Sequence, residues 1–135
     1  EADFVVPVDS NWQESRNRGR LADYVRCSEP CSRGSFYNRV TLKDVTCDAS
    51  AEGIHGEWMG FLRVTARGAQ ILVGLLEKLA ADPEGLKVLK MPDLLKFLMR
   101  DGHEIQVVYT TNWLDIDSVD DALFASRFEC HGSAA

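Results

Sequence analysis

The stretch M-P-D-L-L-K-F-L-M-R-D-G-H-E-I-Q-V-V-Y-T, residues 91–110, places a helix pattern directly before a strand pattern. Apolar residues recur at helical spacing from about residue 91 to residue 100, where an Asp-Gly pair ends the pattern. Pro92 suits the first helical turn, and Asp93 favours the positive end of a helix. The β-branched run at residues 105–110 then predicts a strand. This alternation favours a layered α/β sheet.

The neighbouring segments extend the same pattern in both directions along the chain. Apolar spacing predicts a helix over residues 69–80, ended by Asp82-Pro83 with Gly85 in the turn, and Ser118 is expected to cap a last helix over residues 119–127. Strands are predicted at residues 4–8, 21–27, 40–45 and 60–64. The first is expected to be a buried strand near the sheet edge or its start, given Pro7, because proline cannot donate a backbone hydrogen bond.

The composition describes an acidic chain with enough apolar residues for one domain. Of its 135 residues 45% are hydrophobic and 27% are charged, and the net charge is −6. A negative net charge argues against a nucleic-acid partner, which usually binds a clustered basic surface. No apolar stretch reaches the length of a membrane-spanning helix, and the four cysteines are expected to be reduced thiols. We therefore expect a cytoplasmic protein without a membrane partner.

The run W-L-D-I-D-S-V-D-D, residues 113–121, carries the densest acidic chemistry of the chain. Asp115 and Asp117 are two residues apart, so in an extended segment both carboxylates lie on one side. Carboxylate oxygens of this kind suit Mg²⁺, which commonly takes one or two of them together with substrate phosphates. The alternative is that Asp115 is a surface residue and that Asp117 only helps Ser118 to cap the helix.

The same run resembles the closing motif of the sugar-phosphate, phosphocholine and phosphonate nucleotidyltransferases. In that family a strand ends in a carboxylate pair that completes the metal site, and a helix follows. Asp115 and Asp117 occupy the matching positions. The resemblance therefore implies that these two residues bind Mg²⁺.

Three further segments are similar to the cytidylyltransferases found fused to phosphoenolpyruvate mutase: V-P-V-D-S-N-W at residues 6–12, S-R-G-S-F-Y-N-R-V-T-L-K at 32–43 and I-H-G-E-W-M-G-F-L-R-V at 54–64. The resemblance implies that Glu57 and Trp58 contact the non-phosphate end of the acceptor, where a carboxylate and an indole face suit an amine or a quaternary ammonium. The alternative is a packed Trp58 and a solvated Glu57. Arg33 and Lys43 are candidate phosphate ligands.

The chain departs from this family at its beginning. It lacks the glycine-rich G-x-G-x-R loop, the Pro-Lys pair and the further metal-binding aspartate that hold the nucleotide. Asp9 follows a strand, but it comes after the position of that aspartate and is not given its role. We therefore expect an incomplete Rossmann-like nucleotidyltransferase sheet, flanked by helices, that lacks the N-terminal nucleotide-binding half. Residues 1–127 would form the C-terminal part of the domain, and residues 128–135 a flexible tail.

The expected function is the acceptor- and metal-binding half of a CTP-dependent nucleotidyltransferase acting on a phosphonate or choline-phosphate-like substrate. Such a half is not expected to be active alone. Two alternatives stay open, a non-catalytic half-domain that self-associates and a small-molecule binding module without a nucleotide site. Because missing strands would leave sheet edges open, a homo-oligomer is expected.

Overall fold

Six strands and four helices follow one another in the part of the chain that the structure, a computed structural model, describes: residues 1–14, 21–111, 113–116 and 118–127. The strands are β1 (Phe4–Asp9), β2 (Tyr24–Cys27), β3 (Leu42–Thr46), β4 (Gly56–Trp58), β5 (Arg63–Val64) and β6 (Ile105–Thr110). The helices are α1 (Ala66–Leu79), α2 (Pro83–Val88), α3 (Met91–Arg100) and α4 (Val119–Ala125). They form one mixed sheet flanked by helices, which confirms the α/β class. The Rossmann-like identity remains a prediction, and the predicted tail at residues 128–135 lies outside the described residues.

Strand β1 lies in the middle of the sheet. On one side it pairs in parallel with β6, from Phe4 opposite Ile105 to Asp9 opposite Thr110. On its other side it pairs antiparallel with β4 near its carboxyl end and with β5 near its amino end. The sheet continues from β4 through β2 to β3, and an isolated bridge from Thr41 to Gln106 brings the chain before β3 back against β6. The sheet therefore curls, and the carboxyl ends of β1 and β6 lie side by side.

The prediction that Pro7 marks a sheet edge is wrong, because β1 has partners on both sides. The Pro7 carbonyl accepts a hydrogen bond from Met59, so the nitrogen of Pro7 points toward the same neighbouring chain. At that point the neighbouring chain is interrupted, since β4 ends at Trp58 and β5 begins only at Arg63. Proline has no backbone N–H, and the position of that group faces the gap between β4 and β5. The sheet therefore loses no hydrogen bond at Pro7.

One face of the sheet packs on helix α3. Phe4, Val6 and Val8 alternate along β1 and are fully buried, together with Leu95 and Leu98 of the helix. The predicted bounds of α3 are confirmed. Its start is fixed by the Asp93 carboxylate, which accepts the Lys90 N–H at 3.0 Å, and its end by Gly102 at a φ of +85°.

Helix α1 begins three residues earlier than predicted because Thr65 caps it, its hydroxyl accepting the Gly68 N–H at 3.1 Å. The sequence does not predict the short helix α2, because it places Asp82-Pro83 and Gly85 in a turn. Asp82 instead caps α2 by accepting the Gly85 N–H, and Pro83 lies in its first turn, a position that proline favours.

The strand predicted over residues 60–64 is also corrected. Gly60 has a φ of +79° and turns the chain, so only Arg63–Val64 pairs as a strand there, and β4 forms before the turn. The strands predicted at residues 4–8, 21–27, 40–45 and 105–110 are confirmed, with ends shifted by at most three residues. Among the described residues, no helix is long and apolar enough to cross a membrane; α1, the longest, has 14 residues.

Candidate functional site

A row of polar side chains crosses the sheet at the carboxyl end of β1. In the strand register Glu57 of β4 lies opposite Asp9 on one side and opposite Tyr24 of β2 on the other. Thr110 of β6 extends the row beyond Asp9. Residues that are directly paired in a sheet point to the same face. We call Tyr24, Glu57, Asp9 and Thr110 the polar row.

Two of its members are carboxylates that solvent hardly reaches, since Asp9 is 6% exposed and Glu57 is 4% exposed. Burial raises the pKa of Asp9, and the nearby charge of Glu14 raises it further. The backbone N–H of Asn11 donates to Asp9 Oδ1 at 2.9 Å and opposes that shift. A cation that lies close to such a buried carboxyl group stabilises its charged form.

Gly56 explains why β4 can lie so close to β1. A Cβ atom at this position would stand 2.3 Å from Val8 Cγ1 and 2.7 Å from the backbone oxygen of Asp9. A side chain at position 56 would therefore push β4, which carries Glu57, away from β1. The start of β4 is fixed on the β2 side by His55, whose Nδ1 accepts the Cys27 N–H at 3.0 Å. The ring is thus in the tautomer that carries its proton on Nε2.

Aromatic rings lie at one end of the polar row. Trp12 begins a short 3₁₀ turn, Trp12–Glu14, three residues after Asp9, and its ring packs against Tyr24 with centroids 5.0 Å apart. Both rings are half-buried. Two carboxylates and a pair of aromatic side chains therefore lie at this end of β1, three of them in the polar row.

Trp58 lies on the opposite face of β4 from Glu57, because successive residues of a strand point to opposite faces. It pairs with Val8, is buried in the core, and donates its indole N–H to the Phe61 carbonyl at 2.8 Å. This is the packed state that the sequence left open for Trp58. The aromatic residue paired with Glu57 is instead Tyr24, against whose ring Trp12 packs.

The two predicted phosphate ligands, Arg33 and Lys43, are exposed and lie outside the polar row. Arg33 precedes the 3₁₀ turn Gly34–Phe36, and Lys43 lies on β3. The loop that contains Arg33 forms one wall of a groove of about 470 Å³ along β6. Ser10, which follows β1 directly, also lines this groove. Arg33 is thus close in the chain to a cavity that reaches Ser10, the residue after Asp9.

Asp115 is half-buried in the segment that follows β6, four residues before α4 begins. Asp117 lies outside the described residues, so the predicted carboxylate pair stays a prediction. The capping of α4 is confirmed for Ser118, which exchanges hydrogen bonds with Asp121: its hydroxyl accepts the Asp121 N–H, and its own N–H donates to the Asp121 carboxylate. Within the described residues, no three His, Cys, Asp or Glu side chains form a group that could hold a metal ion.

The sequence identified Glu57 but not its neighbours in space. Asp9, Tyr24 and Trp12 join it only through the pairing of strands that are far apart in the chain. A local signal exists for Tyr24, because Val25 and Cys27 alternate as inward residues and leave Tyr24 and Arg26 on the other face. Comparison of the chain with protein-family models, with curated proteins and with solved structures gives no match.

Proposed function

We propose that this chain is the acceptor- and metal-binding half of a CTP-dependent nucleotidyltransferase that acts on a phosphonate or choline-phosphate-like substrate. The observation that carries the proposal is the polar row, in which buried Glu57 lies in register between Asp9 and Tyr24. The similarity of residues 54–64 and 113–121 to that family supports it.

The polar row suits the ammonium end of such an acceptor. The carboxylates of Asp9 and Glu57 lie on neighbouring strands, and an ammonium group bound between them would be attracted by both. The rings of Trp12 and Tyr24 add faces on which an amine or a quaternary ammonium is stabilised. In this arrangement Trp58 supports the site from the core and does not contact the ligand.

The phosphate end of the acceptor would extend toward the segment after β6. In α/β sheets ligands commonly bind outside the carboxyl ends of the strands, and β1 and β6 end together here. Asp115 and Asp117 would hold Mg²⁺, an assignment that their oxygen chemistry fits. Bound there, Mg²⁺ would neutralise phosphate charge while an acceptor oxygen attacks the α-phosphorus of CTP and pyrophosphate leaves. Arg33 and Lys43 would pair with phosphate oxygens.

Calorimetric titration of the chain with phosphocholine and with 2-aminoethylphosphonate tests the proposal, in the presence and absence of Mg²⁺ and CTP. We expect acceptor binding that Glu57→Gln weakens by about ten- to a hundredfold, the range for loss of a hydrogen bond or contact with a charged group. Glu77→Gln, the same change at an exposed position of α1, is the matched control and should bind as the wild type does.

The outcomes separate the proposal from its alternatives. Absence of binding by both acceptors under all conditions would refute it. Acceptor binding that depends on Glu57 but does not respond to Mg²⁺ and CTP would favour the small-molecule binding module instead.

A further inference from the structure

Helix α4 presents an apolar surface that is exposed among the residues that the structure describes. Val119 is 76% exposed and Leu123 is 57% exposed, and the two lie one turn apart on the same side of the helix. Ile116 adds a further exposed apolar side chain just before the helix, and none of the residues of α4 is buried. Asp120 gives this surface a negative rim. We call Ile116, Val119, Asp120 and Leu123 the α4 face.

A second uncovered surface lies between α2, α3 and the end of α1. These helices enclose a groove of about 510 Å³, which we call the three-helix groove. Its walls include the apolar side chains of Leu79, Leu86, Leu89 and Phe97. Helix α2 has no buried residue, so the apolar side of this groove is open to a partner.

The rim of the three-helix groove carries three cations and two carboxylates, in a protein whose net charge is −6. Lys78 is ion-paired with Asp101 at 3.5 Å, so the cations that bear on a partner are Lys96 and Arg100, whose guanidinium lies over the Phe97 ring at 5.7 Å from the centroid. The two carboxylates, Asp82 and Asp93, accept backbone N–H groups at the starts of α2 and α3. The positive ends of these helices offset part of the two negative charges, so beside Lys96 and Arg100 the groove favours an apolar segment that carries an acidic residue.

We propose that the α4 face of one copy docks into the three-helix groove of a second copy of this chain. The two surfaces complement each other in hydrophobicity and in charge, since the apolar residues of one meet apolar walls and Asp120 meets Lys96 and Arg100. If each copy supplies both surfaces to the other, the contact is reciprocal and closes as a two-fold dimer. The proposal does not depend on the nucleotidyltransferase assignment.

A charge-exchange experiment tests the contact. The mass of the wild-type chain is measured by size-exclusion chromatography with light scattering over a concentration series, and its dissociation constant by sedimentation. We expect a dimer at high concentration, with Arg100→Asp and Asp120→Arg each weakening association by about tenfold or more. When the two variants are mixed, the reversed charges face each other, and heterodimers should form with near wild-type affinity.

Two further variants keep the test specific. Lys87→Glu makes a comparable charge change on α2, but Lys87 pairs with Glu84 and does not border the groove, so association should be unchanged. Leu123→Ser should abolish association without unfolding the chain, because Leu123 is exposed, and circular dichroism checks the fold. The proposal is overturned if the wild type stays monomeric at several hundred micromolar, a range of weak association. It is equally overturned if Arg100→Asp associates like Lys87→Glu, or if the mixture fails to recover.

Discussion

Replacing Gly56 by alanine tests whether β4 lies on β1 as closely as the polar row requires. The added Cβ would meet Val8 Cγ1 at 2.3 Å and the backbone oxygen of Asp9 at 2.7 Å. Non-bonded carbon atoms are most stable at about 3.5–4.0 Å, so both contacts are repulsive. One partner is backbone, and the other is a fully buried β-branched side chain with few rotamers, so neither can move aside easily.

Overpacking a well-filled site costs about 1–3 kcal/mol, and two contacts of this kind place Gly56→Ala near the upper end. A loss of about 3 kcal/mol would lower the urea midpoint by about 1.5 M at an m-value of about 2 kcal/mol/M. Tryptophan fluorescence during urea titration measures this directly. Binding of phosphocholine should weaken in parallel, because Glu57 moves with β4.

Gly74→Ala provides the control, since a Cβ at Gly74 in α1 would meet no atom within 4 Å. Alanine favours the helical conformation over glycine by up to about 1 kcal/mol, so this variant should be slightly more stable than the wild type. The two glycine-to-alanine changes are thus expected to have opposite signs. A wild-type urea midpoint for Gly56→Ala would contradict the close packing of β4 on β1 and the placement of Glu57 opposite Asp9.

Three other substitutions test the charges and hydrogen bonds around the sheet. Burial raises the pKa of Asp9, so the folded state binds its proton more tightly than the unfolded state does. The free energy of unfolding therefore falls as pH rises from the unfolded-state pKa of Asp9 through its folded-state pKa. Asp9→Asn should raise the melting temperature at pH 7 and weaken acceptor binding. His55→Ala leaves the Cys27 N–H without its acceptor and should cost about 1–3 kcal/mol in urea unfolding, whereas a cost near zero would contradict that bond. The Arg67 hydrogen bond lowers the pKa of Asp3, so its stabilisation is present at neutral pH and is lost as pH falls below about 4. Thermal melts of Asp3→Asn should therefore lack that acid-side loss, and a pH profile identical to the wild type would refute the assignment.

The sequence predicted those elements whose signals are local. Helix α3 and strand β6 were placed correctly because apolar spacing, a first-turn proline and a stop at Gly102 all lie within twenty residues. The sequence did not predict helix α2 or strand β4, because segments of six and three residues are too short to show a periodic apolar pattern. The central position of Pro7 was missed for a different reason, since the gap between β4 and β5 exists only in the assembled sheet.

The site was predictable only in part for the same reason. Glu57 stands out locally because glycines flank it, but its neighbours are chosen by strand register. Asp9 and Glu57 are 48 positions apart and meet only because β4 pairs antiparallel with β1 at that register. A shift by one residue would turn Glu57 to the core face and Trp58 to the outer face. The register therefore decides which aromatic residues accompany Glu57.

Two neighbouring rows on the same face of the sheet differ in the charges that they pair. One row pairs Arg26 of β2 with Asp44 of β3, opposite charges in register that form an ion pair. The polar row pairs Asp9 with Glu57, like charges in register, and buries both of them. Like charges placed directly opposite each other destabilise a sheet, and opposite charges stabilise it. The sheet therefore holds one stabilising pair of opposite charges and one pair of buried carboxylates, and the proposed binding of an ammonium group depends on the second pair.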